Sequence, residues 1–146
     1  LVAIGGLSAS LGAADITEIE FITTSFDKSD GGTLQARVRF NEPVVVDTSG
    51  GTPHLAVTNG NQGSGSGRGP HNLTYASGTG TNELVFSLTI GAANAATNAG
   101  DILVIGANAI ALNSGTIKDV ATSTTNATIT NSSAIGTAAG SITVAA

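Results

Sequence analysis

Apolar and polar residues alternate along much of the chain, and this alternation predicts β-strands. In Leu34–Phe40 and in Leu84–Ile90, every second residue is apolar, either aliphatic or aromatic. Because side chains of a strand point alternately to its two faces, each segment has one buried and one solvated face. Shorter candidate strands are Ile16–Ile22, Val44–Val46, His54–Thr58, Leu73–Ala76, Ile102–Ile105, Ala109–Leu112, Ala127–Thr130 and Ser141–Val144.

Glycine-rich turns separate these candidate strands. Examples are Asp30-Gly31-Gly32, Ser49-Gly50-Gly51 and Asn113-Ser114-Gly115. Short strands that recur about every 8–12 residues, with such turns between them, are typical of a sandwich or barrel. Helix signals are weak, since the Ala-rich segment Gly91–Gly100 carries no apolar stripe. We therefore predict an all-β fold, an antiparallel β-sandwich; a β-solenoid is the alternative, but no repeat of fixed period supports it.

The length of 146 residues fits one domain with a core large enough to fold without disulfides. We assign residues 15–146 to this domain. Residues 1–14 are either an extended arm that pairs with a neighbouring subunit or the remnant of a processed leader, and we favour the arm. The segment is too short and too rich in Gly and Ser to span a bilayer. Its candidate contact residues are Leu1, Val2, Ile4 and Leu7.

Charge and cysteine content exclude several classes of function. The net charge is −5, and the cations number five. A nucleic-acid-binding surface needs a basic patch, and attraction to anionic lipid needs one too. We therefore expect neither nucleic acid nor membrane insertion. Cysteine is absent, so disulfides and thiol chemistry are excluded. The lack of Cys and Met in a chain rich in Thr, Asn and Gly favours a location outside cells, on a cell surface or on a virion.

Candidate catalytic groups are few. His54 and His71 are the only histidines, and no Gly-x-Ser-x-Gly elbow accompanies them. Glu18 and Glu20 share a strand face, but glycoside cleavage needs two carboxylates across a pocket, and few aromatics are available to stack sugars. We therefore expect that the protein is not an enzyme and has no catalytic residue. Tyr75, the single Tyr, is expected to bury its ring and bond a backbone group through its hydroxyl.

The segment Asn59–Pro70, with the sequence NGNQGSGSGRGP, is a candidate contact loop. Its Gly and Ser content predicts a solvated, flexible loop, and binding residues concentrate on loops held by a rigid scaffold. The candidate contact residues are Asn61, Gln62 and Arg68. A second oxygen-rich segment, from Asp27 to Gly31, contains two candidate calcium ligands, Asp27 and Asp30. Its oxygen spacing differs from that of an EF-hand loop, so we expect a turn there.

Three segments, taken in order, resemble the immunoglobulin-like repeats of very large bacterial surface proteins and adhesins. Structural proteins of marine phages carry similar repeats. The three segments are Phe40–Leu55 (FNEPVVVDTSGGTPHL), Tyr75–Phe86 (YASGTGTNELVF) and Ala111–Asp119 (ALNSGTIKD). The similarity extends from about Ile16 to Val144. One departure concerns Asp119, which is followed by Val120-Ala121-Thr122 where many repeats have Ala-Gly-Asn.

The resemblance implies an immunoglobulin-like sandwich, a hairpin at Ala111–Asp119 and no catalytic centre. Calcium near domain junctions is common in such proteins, which makes Asp119 a third candidate calcium ligand, although the departure after it counts against that role. We therefore expect no cofactor other than calcium. The predicted function is that of a non-enzymatic structural module in a fibre, adhesin, capsid or tail decoration, with other protein subunits or tandem domains as partners. The alternative is an adhesion module that binds a glycan or receptor, with calcium assisting.

Overall fold

The computed structural model describes residues 13–27, 32–59, 70–90, 100–121 and 124–145. These ranges contain ten strands and one short helix. The strands are β1 (Ile16–Phe21), β2 (Phe26–Asp27), β3 (Gly32–Asp47), β4 (His54–Asn59), β5 (His71–Ser77), β6 (Thr81–Ile90), β7 (Ile102–Val104), β8 (Ile110–Ala111), β9 (Thr116–Asp119) and β10 (Ser141–Ala145), with helix α1 (Ser133–Ala138) before β10. The predicted all-β class is confirmed.

The strands form one hydrogen-bonded path that curls around a single core. Its order is β1-β3-β6-β5-β4-β7-β10-β2, with β8 added to β4 and β9 added to β3. The pairs are antiparallel except β2 and β10, which are parallel. The two ends of the path, β1 and β2, are consecutive in sequence and are joined by residues 22–25. The sheet is therefore curled but open at the seam between β1 and β2.

The alternation that predicts β3 and β6 produces the inner face of the sheet. Leu34, Ala36, Val38 and Phe40 are buried on β3, whereas Gln35, Arg37 and Arg39 are partly exposed. Leu84 and Phe86 of β6 lie in the same cluster. Because each strand of the curled path contributes inward residues, one continuous core fills the interior. No helix in the described ranges is long and apolar enough to cross a membrane.

Strand β3 is longer than expected, since the sequence predicts separate strands at Leu34–Phe40 and Val44–Val46. The two segments form one strand, with an irregularity in the register between Arg39 and Val44. Pro43 lies within this irregularity, where a missing backbone N–H interrupts no ladder bond, and its carbonyl accepts a bond from Val120 at 3.1 Å. The bend divides one edge of β3 between two partners: β1 pairs with Phe40 and the residues before it, and β9 pairs with Val44–Asp47.

Three other local predictions are wrong. The segment Ala127–Thr130 is not a strand, and residues 126 and 128 form only isolated bridges. Ala111–Asp119 is not a hairpin, because β8 pairs with β4 while β9 pairs with β3. Helix α1 was not expected, because six residues are too few to show an apolar stripe. Its signal is the N-cap Ser132, whose hydroxyl accepts a bond from Ile135 N–H at 3.2 Å.

Tyr75 has the predicted corner role. Its hydroxyl accepts a hydrogen bond from the backbone N–H of Thr79 at 2.9 Å. Its ring is partly buried and meets Phe86 edge to face, with centroids 6.2 Å apart. This geometry suits the ring quadrupole, so the contact fixes the β5–β6 turn against the core.

The turn before β4 and the turn before β9 pack backbone against backbone. A Cβ built on Gly51 would lie 1.9 Å from the carbonyl oxygen of Asn113, and one built on Gly115 would lie 2.5 Å from the carbonyl oxygen of Gly51. The amide of Asn113 adds a bond to the carbonyl of Thr52 at 3.2 Å. Glycine is required at both positions, because the clash would be with backbone atoms that cannot rotate away.

We predict that Gly51→Ala destabilises the protein by about 1–3 kcal/mol or more, because the two turns must separate to admit the methyl group. The free energy of unfolding from urea titration measures the change. Gly106→Ala is the matched control, since a Cβ there meets nothing within 4 Å. We expect that variant to stay within about 0.5 kcal/mol of the wild type. Equal effects from both substitutions would contradict the tight packing of the turns.

Candidate functional site

The chain enters the sheet at a junction that we call the entry site: Ala14, Asp15, Asn41, Glu42 and Asp119. It lies where β1 and β9 meet along the same edge of β3, at the bend around Pro43. Ala14 is fully buried and belongs to the core cluster. Although the sequence assigns it to the arm, it is held like a residue of the domain.

Asp119 of β9 and Thr128, in the segment between β9 and α1, fix the backbone of Ala14. Its N–H donates to the Oδ1 of Asp119 at 2.9 Å, and its carbonyl accepts from the N–H of Thr128 at 2.7 Å. The next residue, Asp15, exchanges bonds with Asn41: its N–H donates to Asn41 Oδ1 at 2.9 Å, and its carbonyl accepts from Asn41 N–H at 2.9 Å. The direction in which the chain reaches β1 is thus set by four hydrogen bonds.

Asp119 has a structural role at this site. The residue is fully buried. Its Oδ1 accepts the hydrogen bond from Ala14 N–H, and its Oδ2 is shielded from solvent and has no hydrogen-bond partner. Glu42 is half-buried, and its Oε2 is likewise covered and without a partner. Burial raises the pKa of Glu42 above its usual value, and the nearby charges of Asp119 and Asp15 raise it further. Two carboxylates are therefore held close together in a poorly solvated position.

A second buried polar group lies at the other ends of the strands; we call it the loop-base cluster: Asn59, His71 and Asp101. Asn59 closes β4, His71 opens β5 and Asp101 precedes β7. The Asn59 Nδ2 donates to Asp101 Oδ2 at 2.8 Å and lies 3.3 Å from His71 Nε2. Burial lowers the pKa of His71, while the charge of Asp101 opposes that shift. His71 is 3% exposed, so its ring is part of the interior.

The outer face of β1, β3 and β6 carries a ladder of opposite charges. Arg39 bonds Glu83 and lies 2.9 Å from Glu18, and Arg37 Nε donates to Glu20 at 2.8 Å. The glutamates on β1 thus neutralise the arginines of β3 instead of facing each other across a cleft. Because these side chains are about 35–47% exposed, each pair contributes little to stability.

The structure keeps the sequence-predicted calcium ligands apart or leaves them undescribed. Asp27 lies on β2 beside Ala145, whereas Asp119 lies on β9 beside Val44. Asp30 falls outside the described residues. Across the described ranges, no three His, Asp or Glu side chains are grouped in a way that could hold a metal ion.

The remaining predicted contact residues also lie outside the described part of the chain. They are the loop residues Asn61, Gln62 and Arg68 and the arm residues Leu1, Val2, Ile4 and Leu7. The structure describes the residues that border these segments in sequence: Asn59 and His71 flank the loop, and Ala14 follows the arm. The sequence gives no signal for Asn59, His71 and Asp101 as a cluster, because His71 and Asp101 are thirty positions apart.

We predict that Glu42 makes the wild type less stable as pH rises above the usual carboxyl range, a loss measured as the difference between the wild type and Glu42→Gln. The pKa of Glu42 is higher in the fold than in the unfolded chain, so its contribution is complete below the unfolded value and is lost as pH rises through the folded value. Glu42→Gln should remove this loss and raise the melting temperature at neutral pH, because the amide is uncharged. Melting curves between pH 4 and pH 8 test it.

Glu20→Gln is the control for that experiment. Glu20 lies in the exposed charge ladder, so its replacement should leave the pH profile of the wild type in place. The account of the entry site would be wrong if Glu42→Gln kept the wild-type profile, or if both variants lost it equally.

Comparison of the chain with protein-family models, with curated proteins and with solved structures finds no match. The resemblance to immunoglobulin-like repeats therefore stays a prediction from the three sequence segments. The fold and the two buried polar sites supply the remaining basis for a functional conclusion.

Proposed function

We propose that this chain is a non-enzymatic structural module of an extracellular, cell-surface or virion assembly, built as an immunoglobulin-like repeat and acting through protein–protein contacts. The observation that carries the proposal is the entry site. Ala14 is buried and bonded to both Asp119 and Thr128, so the segment before it starts from a fixed point of the domain.

The fixed position of Ala14 favours a protein–protein contact made by the short apolar segment before it. Residues 1–12 include four aliphatic side chains that we propose as contacts, namely Leu1, Val2, Ile4 and Leu7. A segment that pairs with the edge of another sheet gains main-chain hydrogen bonds and pockets for alternate side chains. Holding one end of it in place reduces the conformational entropy lost on association. The entry site therefore supports a subunit or tandem-repeat contact through this segment.

The charge ladder supports protein partners over nucleic acid. Arg37 and Arg39 are each paired with glutamates on neighbouring strands. Neutralised arginines release few counterions from a phosphate backbone, which is the main source of affinity for nucleic acid. The net charge of −5 acts in the same direction.

The second candidate function is recognition of a glycan or a host receptor, with calcium assisting. The loop-base cluster favours it, because Asn59 and His71 immediately flank the segment that contains Asn61, Gln62 and Arg68. Asp101 follows the Ala-rich segment Gly91–Gly100 and bonds Asn59. The described residues that border these two candidate contact segments thus meet at one buried point of the scaffold, and binding residues concentrate on loops held by a rigid scaffold.

We predict that deletion of residues 1–12 abolishes self-association or assembly while leaving the melting temperature unchanged. The deletion stops before Ala13, so the bonds of Ala14 are kept. Sedimentation velocity of the full chain and the shortened chain gives the mass of each species. The expected result is an assembly for the full chain and a monomer for the shortened one.

A full-length variant with Leu1, Val2, Ile4 and Leu7 all changed to Ser is the matched control, since it keeps the length and removes the apolar contacts. It should behave like the deletion. Assembly that persists in both variants would count against the structural proposal. A full chain that sediments as a monomer would also count against it.

The two candidate functions also differ on a glycan array. The structural proposal predicts no bound glycan, with calcium or with a chelator. The adhesion alternative predicts binding that weakens at least tenfold in the triple variant Asn61→Ala, Gln62→Ala, Arg68→Ala, because these side chains are its polar contacts. Calcium-dependent binding that this variant loses would establish the second function.

A further inference from the structure

The loop-base cluster contains one titratable base in a buried position that the proposed function does not use. His71 is 3% exposed, Asn59 is 7% exposed and Asp101 is fully buried. All three side chains meet within hydrogen-bond distance through the amide nitrogen of Asn59. Electrostatic interactions are strong in such poorly solvated surroundings, so a change in the charge of one group acts directly on the other two.

The geometry fixes the orientation of the Asn59 amide. Its Nδ2 lies 2.8 Å from Asp101 Oδ2, and a carboxylate oxygen can only accept, so the nitrogen must face it. The same nitrogen lies 3.3 Å from His71 Nε2. Since the amide nitrogen is a donor, Nε2 must carry a lone pair. His71 is therefore neutral in this arrangement, with its proton on Nδ1.

Protonation of His71 makes this arrangement unfavourable. Nε2 would become a donor and would face the amide donor of Asn59 at 3.3 Å. The acceptor that a cationic ring can reach instead is the carboxylate of Asp101. The backbone of Asp101 is fixed, because its carbonyl accepts a hydrogen bond from Val144 N–H at 2.8 Å. The charge of Asp101 already acts on His71.

We propose that Asn59, His71 and Asp101 form an acid-sensitive latch, in which Asp101 exchanges Asn59 for protonated His71. The latch is closed when neutral His71 accepts from Asn59 and Asn59 donates to Asp101. It opens when the His71–Asp101 ion pair forms and the bond from Asn59 to Asp101 breaks. The end of β4, where Thr58 and Asn59 pair with β7, then loses the side-chain bond from Asn59 to Asp101.

The charges around His71 determine the direction of the effect. Asp101 is the charged group among the described residues that shifts it, and it favours the cation; burial disfavours the cation and dominates. From β4, the facing residues are Val57, which pairs with His71, and Asn59, both uncharged. The pKa of His71 is thus lower in the closed state than its usual value near 6.5. The open state binds more protons below that value, so acid favours opening.

The wild-type protein tests the latch without any substitution. Nitrogen-15 spectra of the histidine rings should show His71 with its proton on Nδ1 at pH 7.5 and with a pKa below its usual value near 6.5. Amide hydrogen exchange, corrected for its intrinsic pH dependence, should show the protection of Thr58 and Asn59 falling as His71 titrates. The fall should approach tenfold per pH unit between about 6.5 and the pKa of His71.

Two variants complete the experiment. In His71→Gln, the side-chain oxygen can accept from Asn59 but cannot be protonated, so the acid-dependent loss of protection should disappear. His54→Gln is the matched control and should keep that loss. A proton on Nε2 at pH 7.5, titration of His71 with unchanged protection, or the same loss in His71→Gln would each overturn the latch. These outcomes leave the assembly of the chain through residues 1–12 untouched.

Discussion

The bond from Ala14 N–H to the buried carboxylate of Asp119 is the constraint that joins the two halves of the β3 edge. Strand β3 bends around Pro43, and its edge is shared by β1 on one side of the bend and β9 on the other. Asp119 on β9 and Asn41 on β3 bond the backbone of Ala14 and Asp15, and these bonds link β1 to both strands at the irregularity of β3.

The two buried polar sites follow the same physical logic. A polar group buried in a sheet core costs free energy unless it is hydrogen-bonded, and in this protein the bonded groups lie at the ends of strands. Asp119 holds the start of β1, and Asp101 holds the ends of β4 and β5 through Asn59. Residues 1–12, which precede Ala14, and the loop that follows Asn59 are the segments for which we propose contacts.

The sequence predicts the fold class and several strands, because alternation needs only neighbouring residues. Leu34–Phe40 buries all four expected residues, and Leu84–Ile90 buries Leu84, Phe86 and Ile90 and partly buries Leu88. Tyr75 bonds the backbone as expected. Strand β2 has only two residues, and helix α1 has six, fewer than two turns, so neither is long enough for its period to be recognised. Asp119 could not be assigned to Ala14, since the two are 105 positions apart and only the folded sheet brings them together.

Ala14 belongs to the folded sheet and gives residues 1–12 a fixed point of attachment. The most direct test is amide hydrogen exchange of Ala14 in the full chain. We expect protection close to that of Val38 in the centre of β3, because both amides are buried and bonded. Exchange at the rate of a frayed chain end would contradict the account.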